Sequence, residues 1–440
     1  MAETDVPDRR PAQATAAAGH ELSRRALLGA AAAGAAGLIV GGIAGPLVTY
    51  PPPVAARQVP SEPGASATHS FFGPHQAGVT TPVQGHLFFA AFDMLEGTDR
   101  RDLASLLCDW SHATERMVQG LEVDLSGLIR GDPKAPLDDT GEALGLAASR
   151  LTVTIGLGPR LFERDGVDRY DIAAARPPEL EPLPSFVGDA LETASCDGDL
   201  GIQVCADDPQ VAVHAVRNLS RIAIGRAAVR WSQIGFVPTS PAPAIQQTPR
   251  NLMGFKDGTN NILDANEAVV EQHVWLPPAS TPAWLAGGTY QVVRKIAILI
   301  EDWDRQPVAA QQATFGRAKE SGAPLSGGQE FTAPDFEARV DGADAIDRAA
   351  HVRLTHPSSN GGTRILRRGY NYVDGTDAQG RLNAGLLFIS YQRSPGQFIG
   401  IQRALAGDLL NPFIRHIGSA IFVVPPGASE GGFVGETLFG

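Results

Sequence analysis

His86-Leu-Phe-Phe-Ala-Ala-Phe-Asp-Met-Leu95 is an apolar, aromatic-rich run of strand length, and the segment Asp102–Leu121 behind it places apolar residues at 103, 106, 107, 110 and 117. The first pattern reads as a β-strand and the second as a helix with one buried face. Moving outward, strands are expected at Leu151–Leu157 and Leu200–Ala206, a helix at Pro209–Ile224 and a strand at Ala227–Val237. The order is β-α-β-β-α-β. A similar order follows: a strand at Tyr290–Ile300, a helix around Asp304–Phe315, a short strand at Val352–Leu354, a strand at Gly385–Tyr391, a helix at Gln397–Leu405 and a strand at Ala420–Val424. This predicts an α+β fold of two ferredoxin-like units with antiparallel sheets and helices on one face of each. One irregular α+β domain without duplication is the alternative. The Pro-rich stretch Val237–Pro249 is the natural boundary, which gives units at 76–240 and 241–440.

The 440 residues suffice for two such units, and 49 Gly with 33 Pro imply many turns rather than a helical bundle. Lys and Arg number 36 against 48 Asp and Glu, a net charge of −12 that disfavours nucleic acid and anionic membranes as partners. Residues 1–56 read as an export signal: Ser23-Arg24-Arg25 precedes a weakly apolar Ala/Gly run, and Val54-Ala55-Ala56 has the small residues of a cleavage site. Paired arginines before such a run are the pattern of the twin-arginine machinery. An uncleaved membrane anchor is the rival reading, although the glycines between Gly29 and Gly45 weaken insertion. Export by that route implies an extracellular, periplasmic or envelope location and favours a cofactor acquired before export. Residues 57–75 read as a linker. Cys196 and Cys205 are near enough in sequence to pair, and no cysteine stands in a C-x-x-C context.

Three clusters in the second half can carry chemistry. Gly254-Phe-Lys-Asp-Gly-Thr-Asn-Asn261 allows a tight turn and close backbone approach of a planar group. Ala350-His-Val-Arg-Leu-Thr-His-Pro357 and Ile365-Leu-Arg-Arg-Gly-Tyr370 follow. Singly, each has a plain explanation as a turn, a solvated histidine or a surface arginine pair. His351 and His356 are five apart, a poor spacing for a shared zinc ion. His-Glu-x-x-His, Walker and Rossmann patterns do not occur.

Gly254-x-x-Asp257-Gly258, then His351-Val-Arg-Leu, then Arg367-Arg-Gly-Tyr370 together resemble the dye-decolourising peroxidase family, in particular its exported deferrochelatase-like members. Gly73-Pro-His-Gln-Ala-Gly78, Phe315-Gly-Arg-Ala-Lys-Glu-Ser-Gly-Ala-Pro-Leu325 and Leu386-Leu-Phe-Ile-Ser-Tyr-Gln392 extend the likeness from about residue 72 to the C-terminus. The resemblance implies one b-type haem per chain in the C-terminal unit, with His351 as proximal iron ligand and Asp257 and Arg367 as the distal pair. It places Gly258, Thr259 and Asn260 beside the macrocycle and His356, Pro357 and Ser358 in the loop after the ligand. Leu386 and Phe388 become candidates for an apolar wall and Arg317 for a propionate partner. The implied reaction reduces H2O2 through a ferryl intermediate and oxidises dyes, phenols or another small-molecule or protein reductant. Electrons from bulky donors would pass through surface Trp or Tyr residues. A haem-binding, iron-extracting role in iron acquisition uses the same motifs, and a haem-free member of the fold is a third reading. The sequence carries no signal of oligomeric state.

Overall fold

The computed structural model describes residues 68–123, 137–238, 248–263 and 266–440. The expected signal at 1–56, most of the linker and residues 239–247 of the Pro-rich boundary lie outside the described residues. No helix among the described residues is long and apolar enough to cross a membrane.

The first unit is built from β1 (His86–Met94), α1 (Arg100–Met117), β2 (Thr152–Leu157), β3 (Leu200–Ala206), α2 (Pro209–Ile222) and β4 (Ala227–Phe236). Helix α1 starts at Arg100 because Asp99 accepts the Arg101 and Asp102 amides while Asp102 returns a bond to the Asp99 amide, a capping box. In the second unit β5 (Thr289–Ile298) leads to α3 (Ile300–Asp304) and α4 (Val308–Phe315). One helix was expected here; Pro307, which has no N–H to donate, divides it.

A further correction concerns the expected strand at Val352–Leu354. The segment is instead a short helix, α5 (His351–Thr355). The Arg353 and Leu354 amides turn back to the Ala350 carbonyl, the Thr355 hydroxyl bonds the His351 carbonyl, and Pro357 ends the run. Three alternating residues are too few to distinguish the two periods. The strand that fills this topological place is β6 (Tyr370–Thr376), followed by β7 (Leu382–Gln392), α6 (Pro395–Ala404) and β8 (Ile414–Val424).

Both units have the same strand order, β2-β3-β1-β4 in the first and β6-β7-β5-β8 in the second, all antiparallel. This is the ferredoxin-like order. The two sheets meet at their edges through single pairs, Phe236 with Asn371 and Leu157 with Val423. Their facing sides pack on one another: Leu87, Phe89 and Ala91 of β1 share a core with Leu387, Ile389 and Tyr391 of β7 and Phe422 of β8. Glycine is required where the Phe422 ring lies, since a Cβ at Gly201 would fall 2.9 Å from it and one at Gly156 2.7 Å from its Cβ. The expected linker is shorter than its proposed span, because Phe71 is buried, Phe72 pairs with Ala428 and His75 stacks on Trp275. Cys196 and Cys205 are both buried and unbonded.

The outer face of the first sheet is closed by α1 and α2, where the Trp110 indole donates to the Leu219 carbonyl at 2.8 Å. The outer face of the second sheet is covered by short helices and loops, and a cavity remains beneath them.

Candidate active site

The cavity is lined entirely by residues between Asn251 and His416. Its sheet side presents Arg294, Ile296 and Ile298 of β5, Leu386 and Phe388 of β7, and Ile414 and His416 of β8. Residues two apart in a strand share a face, so each strand contributes alternate positions. Its other walls come from Phe315 of α4, His351, Val352 and Thr355 of α5, Phe398, Ile401 and Gln402 of α6, and the segment 251–260.

His351 is the first residue of α5, and its Nδ1 lies 2.6 Å from the Asp408 carboxylate. Asp408 is buried, and its other oxygen accepts the Leu410 amide at 2.9 Å. Burial lowers the basicity of His351, and the Asp408 charge more than offsets it, so the net direction is upward. This contact orients the ring and leaves Nε2 for the cavity.

Asp257 and Arg367 are brought into contact by the fold across 110 residues of chain, with Oδ1 and a terminal guanidinium nitrogen 2.6 Å apart. The Asp257 amide bonds the Pro249 carbonyl, and Gly258 adopts φ +136°, a backbone state that a side chain would strain. Asn261 ties the two segments together: its amide nitrogen donates to the Arg367 carbonyl at 2.7 Å and its oxygen accepts the Arg367 N–H at 2.8 Å.

One end of the cavity is cationic, with Lys256, Arg317 and Arg364. Glu330 braces this end, pairing with Lys256 and accepting the Thr248 and Thr259 hydroxyls. Burial raises the affinity of Glu330 for its proton, but these donors outweigh it and the net direction is downward. Arg317 donates to the Gly322 and Glu330 carbonyls. Arg294, a buried residue of the lining, pairs with Asp189 and bonds the Ser419 hydroxyl. His416 stays neutral there, its pKa pushed down to about 4 by burial and then by Arg294.

Of the residues expected from sequence, Asp257, Gly258, Thr259, Asn260, His351, Pro357, Arg367, Leu386, Phe388 and Arg317 line this one cavity. His356 and Ser358 do not. The His356 Nδ1 is 2.8 Å from the Ser358 hydroxyl, and its ring meets Phe336 edge-on. Sequence reading missed Asp408, Asn261 and Arg364. Asp408 lies 57 residues from its partner in an ordinary helix-exit turn, and nothing local marks it. Asn261 closes the Gly254–Asn261 motif and was open to notice.

Comparison with known proteins now bears on this site. The family "Dyp-type peroxidase, N-terminal" matches residues 76–237 and "Dyp-type peroxidase, C-terminal" matches 248–429. The deferrochelatase of Escherichia coli K12 is 34% identical over 398 residues, covering 86% of this chain and 90% of that protein. Ferric DtpA from Streptomyces lividans is 40% identical with a TM-score of 0.77, covering 85% of this chain and 97% of that one. A DyP-type peroxidase from Streptomyces coelicolor is also 40% identical, with a TM-score of 0.78. A haem complex of a DypB variant from Rhodococcus jostii, 18% identical with a TM-score of 0.57, shares the fold.

Fold and site together define an oxidoreductase of the peroxidase class. The chain belongs to the Dyp-type peroxidase family.

Proposed function

We propose that the protein is an exported haem peroxidase, holding one b-type haem per chain in the C-terminal cavity, reducing H2O2 and oxidising dyes, phenols or similar donors. The observation that carries this reading is the meeting in one apolar cavity of His351, braced by Asp408, with the Asp257–Arg367 pair.

The residues present fit the cofactor. Haem is a planar apolar ring with two carboxylates on one edge. The cavity has walls of Ile296, Ile298, Phe315, Leu386, Phe388 and Ile401, the Nε2 of His351 with no hydrogen-bond partner among the described residues, and cationic side chains at Lys256, Arg317 and Arg364. His351 Nε2 would ligate the iron and the cationic end would receive the carboxylates. When bound, haem supplies the iron that takes electrons from donors and passes them to peroxide.

The chain's own residues then have defined tasks. Asp257 accepts a proton from one peroxide oxygen and returns it to the other as the O–O bond breaks, which requires a carboxylate in hydrogen-bond reach. Arg367 remains protonated and stabilises the negative charge that develops on the departing oxygen. Asn261 keeps both groups in register, and Asp408 keeps the His351 ring oriented. Leu386 and Phe388 exclude water. The net charge of −12 favours cationic or neutral donors over anionic ones. Arg24 and Arg25 direct export by the twin-arginine machinery.

A second reading, haem processing in iron acquisition, is favoured by the deferrochelatase relatives. The deciding experiment is a UV–visible spectrum of the purified protein before and after addition of one equivalent of peroxide. A Soret band that changes on addition and returns with a donor supports the peroxidase. A colourless protein that does not take up haem removes the proposal, and release of metal-free porphyrin from added haem favours the second reading.

A further inference from the structure

A second cavity shares no lining residue with the first. It is an open groove of about 850 Å3 built from three parts of the chain: the entry segment 70–75, residues 271–287 and the C-terminal segment 426–437. That volume is in the range of small-molecule sites. The motif Gly73-Pro-His-Gln-Ala-Gly78, to which the peroxide chemistry gives no task, supplies part of one wall.

The walls are fixed before anything binds. The Gly73 amide donates to the Ala428 carbonyl at 3.1 Å, and a Cβ on Gly427 would fall 2.3 Å from the Gly73 carbonyl oxygen. The His75 ring stacks on the Trp275 ring, with centroids 3.8 Å apart and planes 5° apart. His75 Nδ1 lies 2.7 Å from the Gly287 carbonyl, which only accepts, so this nitrogen carries a proton and the bond fixes the ring. Trp275 is held in turn by Arg393, whose Nε donates to its carbonyl at 2.8 Å. A preorganised aromatic surface loses little entropy when a ligand arrives.

Two features say what the groove takes. Its acidic lining residues are Glu271, Glu430 and Glu436, all exposed; no Lys or Arg joins them, and none of the three has an ion-pair partner among the described residues. Trp275 lines the groove while only 6% exposed, and its indole N–H has no partner among the described residues. An indole largely withdrawn from water beside three carboxylates suits an aromatic cation, because the ring quadrupole and the carboxylates attract the same charge.

We propose that this groove is a docking site for planar aromatic cations, a class of donor to which the peroxidase reading gives no place. The donor's fate rests on that reading; its binding rests on the groove alone. The same glutamates repel sulfonated dyes. Gln397 joins the groove side to the haem cavity: its amide nitrogen donates to the His273 carbonyl at 3.0 Å and to the carbonyl of Arg364, a cavity residue, at 2.6 Å.

The test is equilibrium dialysis of azure B, a planar phenothiazinium cation, against the haem-loaded full chain without peroxide. Glu271→Gln/Glu430→Gln/Glu436→Gln changes only exposed positions and should raise Kd about tenfold at low ionic strength, with the difference fading as salt is added. Trp275→Leu should also weaken binding about tenfold. Equal affinity in the wild type and the triple variant, or an equal hold on a sulfonated anthraquinone, would overturn the proposal. Turnover separates the site from the reading on which it rests. With peroxide, the triple variant should raise KM for azure B by the same factor and leave kcat/KM for a neutral phenol unchanged; an unchanged KM for azure B removes the groove as a donor site. A Soret band that does not respond to peroxide removes the peroxidase reading instead and leaves the binding result standing.

Discussion

The two halves share one strand order and differ in what covers the outer face of the sheet. In the N-terminal unit α1 and α2 are long, capped and amphipathic, and they fill that face with Leu103, Leu106, Leu107, Trp110, Val211, Ala215 and Leu219. In the C-terminal unit the first crossover is split into five- and eight-residue helices with long loops, and the face stays partly uncovered. A continuous helix closes a sheet; a broken one leaves a cavity that loops can furnish with a histidine, an aspartate and an arginine. The same topology thus supports a structural unit and a reactive one, and the difference lies in helix continuity rather than in the sheets.

The sharpest test of this division is His351→Ala. It should abolish the Soret band while leaving the first unit folded by circular dichroism; full haem retention would remove His351 as ligand. Next in size, Asp257→Ala and Arg367→Leu should keep haem and slow the reaction with peroxide by roughly 10²–10⁴ each, read by stopped-flow absorbance. Unchanged kinetics in both would break the assignment of the chemistry to this pair.

Between the units, Phe422→Ala removes a ring seated on Gly156 and Gly201 and should cost about 3–5 kcal/mol in denaturant unfolding. A loss confined to the C-terminal unit would show that the sheets are not mutually dependent. Within the first unit, Asp99→Ala deletes the α1 cap and should cost about 1 kcal/mol without touching haem uptake.

The smallest effect is in acid, where the units should diverge. Glu330 has its folded value depressed, so its contribution is present above the unfolded value and is lost as pH falls through the folded one. The cavity end it braces should loosen in acid, seen as faster haem loss. Asp199 of the first unit is raised, by burial first and then by Asp93. Its ionisation opposes folding at neutral pH, and that penalty disappears as pH falls. Asp199→Asn should accordingly raise Tm slightly at neutral pH and have no effect once the carboxyl is protonated; a fall in Tm at neutral pH would contradict it.

Much of this was readable in the chain because it is local. The alternation at β1, the 3.6-residue spacing of α1 and α2, and the Gly-bounded Asp257 are patterns of adjacent residues, and local sterics and hydrophobic burial act on them directly. The β-α-β-β-α-β order of the first unit followed from them; in the second unit the same order was reached with the wrong segment as second strand, the place that Tyr370–Thr376 takes. What failed also failed for local reasons: Val352-Arg353-Leu354 alternates like a strand but forms the helix that begins with His351, since its backbone bonds run to Ala350. The rest was decided by tertiary structure. Asp408 becomes the partner of His351 and Asn261 the clamp on Arg367 only when segments 57 and 106 residues apart pack together. Hydrogen bonds and charge balance at such separations leave no period in the sequence, because they depend on where the sheets bring side chains and not on the order in which the chain presents them.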